Sequence, residues 1–111
     1  MAKIDTYRQI VQDILSQHAG YKAGIEGVEA QTIFDTNQDH YQLVHVGWRN
    51  GHRVYGCVVH IDINDDKIWI QYDGTEIGIA NELLTRDIPR EDIVLGFQTP
   101  FRRQFTEFAV G

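Results

Sequence analysis

Between positions 4 and 18 the apolar residues recur every three or four places. Ile4, Tyr7, Ile10, Val11, Ile14, Leu15 and His18 fall on one side, while Arg8, Gln9, Gln12, Asp13 and Gln17 fill much of the other. That period predicts an amphipathic helix of about four turns. Gly20, Gly24 and Gly27 then interrupt the pattern and predict a loop. From position 28 to position 73 the period drops to two, and four strands are predicted, over 28–35, 40–48, 53–64 and 67–73. Asn50-Gly51 joins two of them as a type I′ hairpin, a turn in which both central residues need positive φ. Asp65-Asp66 and residues 36–39 make the other two joints, and connections this short predict an antiparallel meander.

With Asn50-Gly51 as a two-residue loop, Val46 faces Tyr55 and Val44 faces Cys57. With Asp65-Asp66 as the next, Ile63 faces Ile68, Ile61 faces Ile70 and Val59 faces Tyr72. Both hairpins then put apolar residues on one face: Val44, Val46, Tyr55, Cys57, Val59, Ile61, Ile63, Ile68, Ile70 and Tyr72. The other face receives Tyr41, Leu43, His45, Val54, Val58, His60, Asp62, Trp69, Gln71 and Asp73, joined by Thr32 and Phe34 if the first turn keeps parity.

After Asp73-Gly74, Thr75 is placed to cap a helix running to about Arg86, with Ile77, Ala80, Leu83 and Leu84 inward. Pro89 opens a short turn carrying Arg90, Glu91 and Asp92, followed by an apolar stretch over 93–97. Thr99-Pro100 repeats a cap-then-proline signature, and Phe101, Phe105 and Phe108 follow at helical spacing. The order predicts one α+β domain over residues 1–111: an N-terminal helix, a four-stranded antiparallel meander sheet, then short C-terminal helices.

Composition narrows the function. A formal charge of −6 opposes a dedicated nucleic-acid module, which carries a basic stripe. Residues 28–66 alone hold six acidic against two basic side chains, which concentrates the acidity on the strands and their turns. No apolar run approaches the roughly 20 residues that span a bilayer, no secretory signal opens the chain, and a single cysteine excludes an internal disulfide. A cytoplasmic location is the expectation.

Candidate chemistry is sparse. Ser16 is the only serine and sits mid-helix, outside any nucleophile elbow. Cys57 and His60, an odd separation apart, are expected on opposite faces, with Cys57 in the core. His60-x-Asp62-x-Asn64 puts three polar side chains on one face, roughly 7 Å apart, with Tyr41 and Gln71 flanking His60 and Trp69 opposite Asp62. A histidine and a carboxylate at that spacing begin a facial metal triad that still needs a second histidine. His45 shares the face but is opposed to Gly56, too far along without a bulge. A small ligand- or metal-binding domain, or an enzyme, using His60, Asp62, Gln71 and Asp73 is the alternative reading. Gly74-Thr75-Glu76-Ile77-Gly78 has the glycines of an anion cradle, but Asp73 and Glu76 beside it favour a capped turn. No cofactor is expected. Arg102-Arg103, the one adjacent basic pair, reads as a solvated face or as a contact for a carboxylate-rich partner. Against −6 overall, DNA contact by a dimer through that pair ranks third. The mixed sheet face is too apolar to stand in water, so either the later helices cover it or a second copy of the chain does. Phe34, Tyr41, Leu43, His60, Asp62, Trp69, Arg102 and Arg103 are therefore the candidate surface for a homodimer or another protein.

Longer motifs point to a family. Gln31-Thr32-Ile33-Phe34-Asp35 leads into Asp39-His40-Tyr41-Gln42-Leu43 and Val46-Gly47-Trp48, then Tyr55-Gly56-Cys57, His60-Ile61-Asp62-Ile63 and Ile68-Trp69-Ile70-Gln71. Asp73-Gly74-Thr75-Glu76, Ile79-Ala80-Asn81-Glu82-Leu83, Asp92-Ile93-Val94-Leu95-Gly96-Phe97 and Arg103-Gln104-Phe105-Thr106-Glu107-Phe108-Ala109 complete the set. Nearly end to end, the chain resembles the XisI-like family, the fdxN element excision controlling factors of cyanobacteria. The resemblance implies a controlling role in excising a DNA element that interrupts a nitrogen-fixation gene during heterocyst development. In that system a separate recombinase carries the strand chemistry and a XisH-type companion accompanies the factor. The family supplies no catalytic residues to carry over. With no credible nucleophile in the chain, the expectation is a regulatory protein acting through protein contacts, with charge steering encounter.

Overall fold

A computed structural model describes residues 3–20 and 26–111 of the chain. The amphipathic pattern forms α1, Lys3–Gly20, which buries Tyr7, Val11, Ile14 and Leu15. Of the glycine loop expected next, Gly24 lies outside the described residues. The period-two region forms β1 (Val28–Asp35), β2 (His40–Arg49), β3 (His52–Asn64) and β4 (Lys67–Asp73) in the expected antiparallel order. Asn50 and Gly51 have φ of 51° and 78°, and Asp65 and Asp66 have 52° and 61°, so both loops take the positive φ that a type I′ turn needs. At the first joint Asp35 Oδ1 accepts the backbone N–H groups of Asn37 and Gln38, both at 3.0 Å, and fixes the turn by an Asx contact.

The sheet carries a fifth strand that the periodicity did not reveal. β5, Ile93–Leu95, pairs parallel with β4 through Ile68↔Ile93, Trp69↔Val94 and Ile70↔Leu95. The described sheet is thus five-stranded and mixed, not a four-stranded antiparallel meander. A parallel return needs a crossover, supplied here by α2 (Ile79–Thr85) and a 3-10 turn at Arg90–Asp92. β5 escaped detection because it is three residues long and its Ile93 and Val94 are both buried, which leaves no alternation to read. Ala109 donates to the Ile93 carbonyl at 2.8 Å and covers the outer edge of this strand.

Past the sheet both helices are shorter than their spacing predicts. α2 begins at Ile79 rather than after Thr75, and Ile77 is exposed rather than inward. Asp73 takes the capping role: its Oδ1 accepts from the Thr75 N–H and hydroxyl (2.8 and 2.6 Å), and its Oδ2 accepts the Ile79 N–H at 2.8 Å. The last helix, α3, covers only Pro100–Arg103, with Thr99 accepting from the Arg102 N–H as its cap. Phe101 and Phe105 stack edge to face at 5.2 Å on the exterior, and only Phe108 of the three phenylalanines packs on the core.

Two breaks in the ladder decide which side chains share a face. β2 pairs with β3 as expected at Val44↔Cys57, but the next pair is Leu43↔Val59, so Val58 is extra. β3 pairs with β4 as Ile61↔Ile70 and then His60↔Tyr72, so Gln71 is extra. One inserted residue reverses parity along the rest of the strand. Both of the faces drawn from regular loops are therefore mixtures. The inner face gathers Tyr41, Leu43, Val59, Ile61, Ile63, Ile68 and Ile70 into one core with α1 and with Ile79, Leu83 and Ile88. Phe34 packs against the same core.

Candidate functional site

α1 and α2 both lie on the inner face, so the site is built on the other one. The β1–β2 and β2–β3 registers place Ile33, His40, Gln42, Val44, Val46, Trp48, Tyr55, Cys57, His60 and Asp62 on this outer face. Tyr72 joins them opposite His60, and Trp69 opposite Asp62. The face has two characters. Toward the Asn50-Gly51 hairpin it is apolar, and Trp48 and Tyr55 stand 59% and 74% exposed. Toward the opposite end it is polar. Ile33 and Tyr72, each 52% exposed, flank the two halves. Side chains of this size seldom stand open to water together unless something covers them.

At the polar end three ligand-type side chains converge. His40 Nδ1 lies 2.7 Å from Asp62 Oδ1, and His60 Nε2 lies 2.8 Å from the same oxygen. A carboxylate only accepts, so both imidazoles carry a proton on the nitrogen facing it. Gln71 Nε2 donates to Asp62 Oδ2 at 3.1 Å, and Gln42 Nε2 lies 3.4 Å from His60 Nδ1. Partial burial works to raise the Asp62 pKa, but the hydrogen bonds from His40 and His60 prevail and hold it below the ordinary carboxylate value. The same contact raises the His40 pKa. Beside the cluster is a cavity of about 320 Å³ lined by Gln38, His40, Asp62, Ile63, Asn64, Trp69 and Gln71.

The structure sorts the sequence-predicted surface. His60, Asp62 and Trp69 share the outer face as expected. Tyr41 and Leu43 do not: they are 0% and 2% exposed in the core, because the extra Val58 turns them inward. Phe34 leaves the surface with them, paired to Tyr41. Arg103 lays its guanidinium over the Trp69 ring at 5.1 Å and donates to the Gln98 carbonyl at 3.1 Å, tying the C-terminal segment to the sheet. Arg102 is exposed beside it. Asp73 leaves the polar row for the start of α2, and the second bulge gives it Val59 as its cross-strand partner. Cys57 is exposed rather than buried, and the bulge returns it to the face of His60.

The residue missed outright is His40, the second histidine that His60 and Asp62 lacked. A regular ladder sends it to the opposite face, whereas the shifted one pairs it directly with Asp62. A signal was present in the apolar pattern. Tyr41 and Leu43 are odd-numbered while Val44 and Val46 are even, and Val58-Val59 are consecutive in β3. The two sets of β2 lie on opposite faces, and the consecutive valines of β3 are where alternation breaks.

The XisI protein family model matches residues 1–110. The chain belongs to the XisI family. Among solved structures it is similar to a XisI-like protein from Anabaena variabilis, at 43% identity and a TM-score of 0.90 over 96% of this chain and 97% of that one. It is also similar to the fdxN element excision controlling factor XisI from Anabaena variabilis, at 33% identity and a TM-score of 0.84 over 99% and 100% of the two chains. No curated protein matches it. The XisI family thus supplies a named process, while the chemistry has to be read from the face just described.

Proposed function

We propose that this XisI-family chain is a regulatory factor of the excision-controlling kind that works by docking other proteins on its outer sheet face rather than by catalysis. The observation that carries the reading is that face: α1 and α2 both cover its reverse, while Trp48 and Tyr55 stand open on it. Tyr and Trp are the side chains that dominate protein interfaces, since each offers a large apolar area with few rotors to immobilise. Two features support a non-catalytic role. Ser16 is exposed on α1, and the Cys57 thiol is engaged with the Val59 carbonyl at 3.3 Å rather than with a base.

The partner proposed is a XisH-type companion, with a second copy of this chain occupying the face when the companion is absent. The acidic balance of −6 suits a basic partner, for which charge sets the encounter rate and the face sets the lifetime. Co-expression with a XisH-type protein followed by size-exclusion chromatography tests the first part, and co-elution at fixed stoichiometry is the expected result. Sedimentation of the chain alone at tens of micromolar tests the second, and a dimer mass is expected. Separate elution together with a strictly monomeric mass would defeat the reading.

A further inference from the structure

We propose that His40, His60 and Asp62 form a binding site for a divalent transition-metal ion. Their ligand atoms all lie within 4.8 Å of one another, the one such group of histidine, cysteine and carboxylate side chains found among the described residues. The set is two imidazoles and one carboxylate, the facial donor arrangement that suits zinc or ferrous iron and disfavours calcium and magnesium, which take oxygen. Its geometry is fixed by the sheet. His40 and Asp62 are direct cross-strand partners on β2 and β3, and His60 is two residues before Asp62 on the same strand.

The spacing requires little movement. Around a tetrahedral ion with bonds of about 2.0–2.1 Å, neighbouring ligand atoms stand roughly 3.4 Å apart. The two nitrogens now lie 2.7 and 2.8 Å from Asp62 Oδ1 and within 4.8 Å of each other, so each histidine–aspartate contact opens by a fraction of an ångström while the two imidazoles settle at the ligand spacing. Side-chain exposures of 50%, 30% and 20% for His40, His60 and Asp62 leave room for entry from solvent.

Proton bookkeeping is consistent with an incoming ion. His60 must bare Nε2, and its remaining proton then sits on Nδ1. There Gln42 meets it by turning its amide oxygen inward. His40 bares Nδ1 and keeps its proton on Nε2. Asp62 Oδ2 stays held by Gln71, so both the carboxylate and one imidazole have an outer partner that fixes their orientation, as ligands of bound metals ordinarily do. The cavity beside the cluster leaves coordination positions for water or for a donor on a bound molecule. This site stands whether or not the apolar half of the face docks a protein.

The test is titration of the full, untagged chain with zinc and with cobalt(II), followed by calorimetry and by the visible absorption of bound cobalt. One ion per chain is expected, with zinc displacing cobalt. His40→Ala and Asp62→Asn should abolish the cobalt spectrum while thermal unfolding of the metal-free protein stays cooperative. Gln71→Leu should weaken zinc by roughly 10- to 100-fold, and His52→Ala, a histidine outside the cluster, should change nothing. Absence of binding by either ion would overturn the proposal. So would binding that survives both His40→Ala and Asp62→Asn.

Discussion

Asp39 shows how one residue can join a turn, a helix and the core. It ends the β1–β2 turn at φ 61°, a conformation that aspartate tolerates better than most side chains. Its Oδ1 accepts from Arg8 Nε and from the Tyr41 hydroxyl, both at 2.8 Å, and its Oδ2 accepts from Arg8 Nη2 at 3.0 Å. Tyr41 is fully buried, so this carboxylate is what satisfies its hydroxyl. Asp39→Ala strands that hydroxyl and should cost roughly 1–3 kcal/mol in urea unfolding. Asp39→Asn keeps an acceptor and a side chain suited to positive φ, and should cost less. Arg8 above all holds the Asp39 pKa below its ordinary value. A depressed carboxylate stabilises the fold above its unfolded pKa, near 3.9, and the contribution is lost as pH falls through the folded value. The stability gap between wild type and Asp39→Asn should therefore be full at pH 6 and should narrow on acidification below about pH 4. A gap that widens would contradict the assignment.

At the scale of elements, what could be read from the sequence and what could not divide along physical lines. α1 and the four long strands were legible because each turns one side toward the core over many residues, only partly buried in β1, and the Asn50-Gly51 and Asp65-Asp66 turns carry their own chemistry. The bulges at Val58 and Gln71 were not, because an extra residue leaves local composition unchanged, and only the consecutive Val58-Val59 marks one of them in the sequence. That single omission misplaced Tyr41, Leu43 and Cys57 and hid His40. The start of α2 was misread because Thr75 looks like a cap by type, whereas the Asp73 carboxylate reaches the Ile79 N–H from outside the helix. Tight strand approach makes its own demand. A Cβ on Gly47 would strike the Gly27 carbonyl oxygen, which accepts the Trp48 N–H at 3.1 Å, and would lie 2.7 Å from the Val28 Cα. Gly47→Ala should therefore push β1 away from β2 at a cost of about 1–3 kcal/mol, read as a lowered Tm. Gly51→Ala, where space is open but φ is 78°, should cost less than that clash.

For the whole molecule, the helices and the sheet divide the work between the two faces. The inner face carries the stability: α1, α2 and the inward residues of the sheet form one apolar core. His18 on α1 meets Glu82 on α2 at 2.6 Å and links the two helices across it. The outer face carries what is left for function, an apolar half and a histidine–aspartate half side by side. Among the described residues no helix is long and apolar enough to cross a membrane. The apolar half is the proposed partner site, and its affinity for that partner can be mapped residue by residue. Tyr55→Ser and Trp48→Ser should each weaken binding of the XisH-type companion by about 30-fold or more, the effect of losing a contact worth ~2 kcal/mol at an interface centre. Ile77→Ser, at an equally exposed apolar residue away from the sheet, should leave the affinity unchanged. Equal affinities for all three variants and the wild type, with folding intact, would contradict the account.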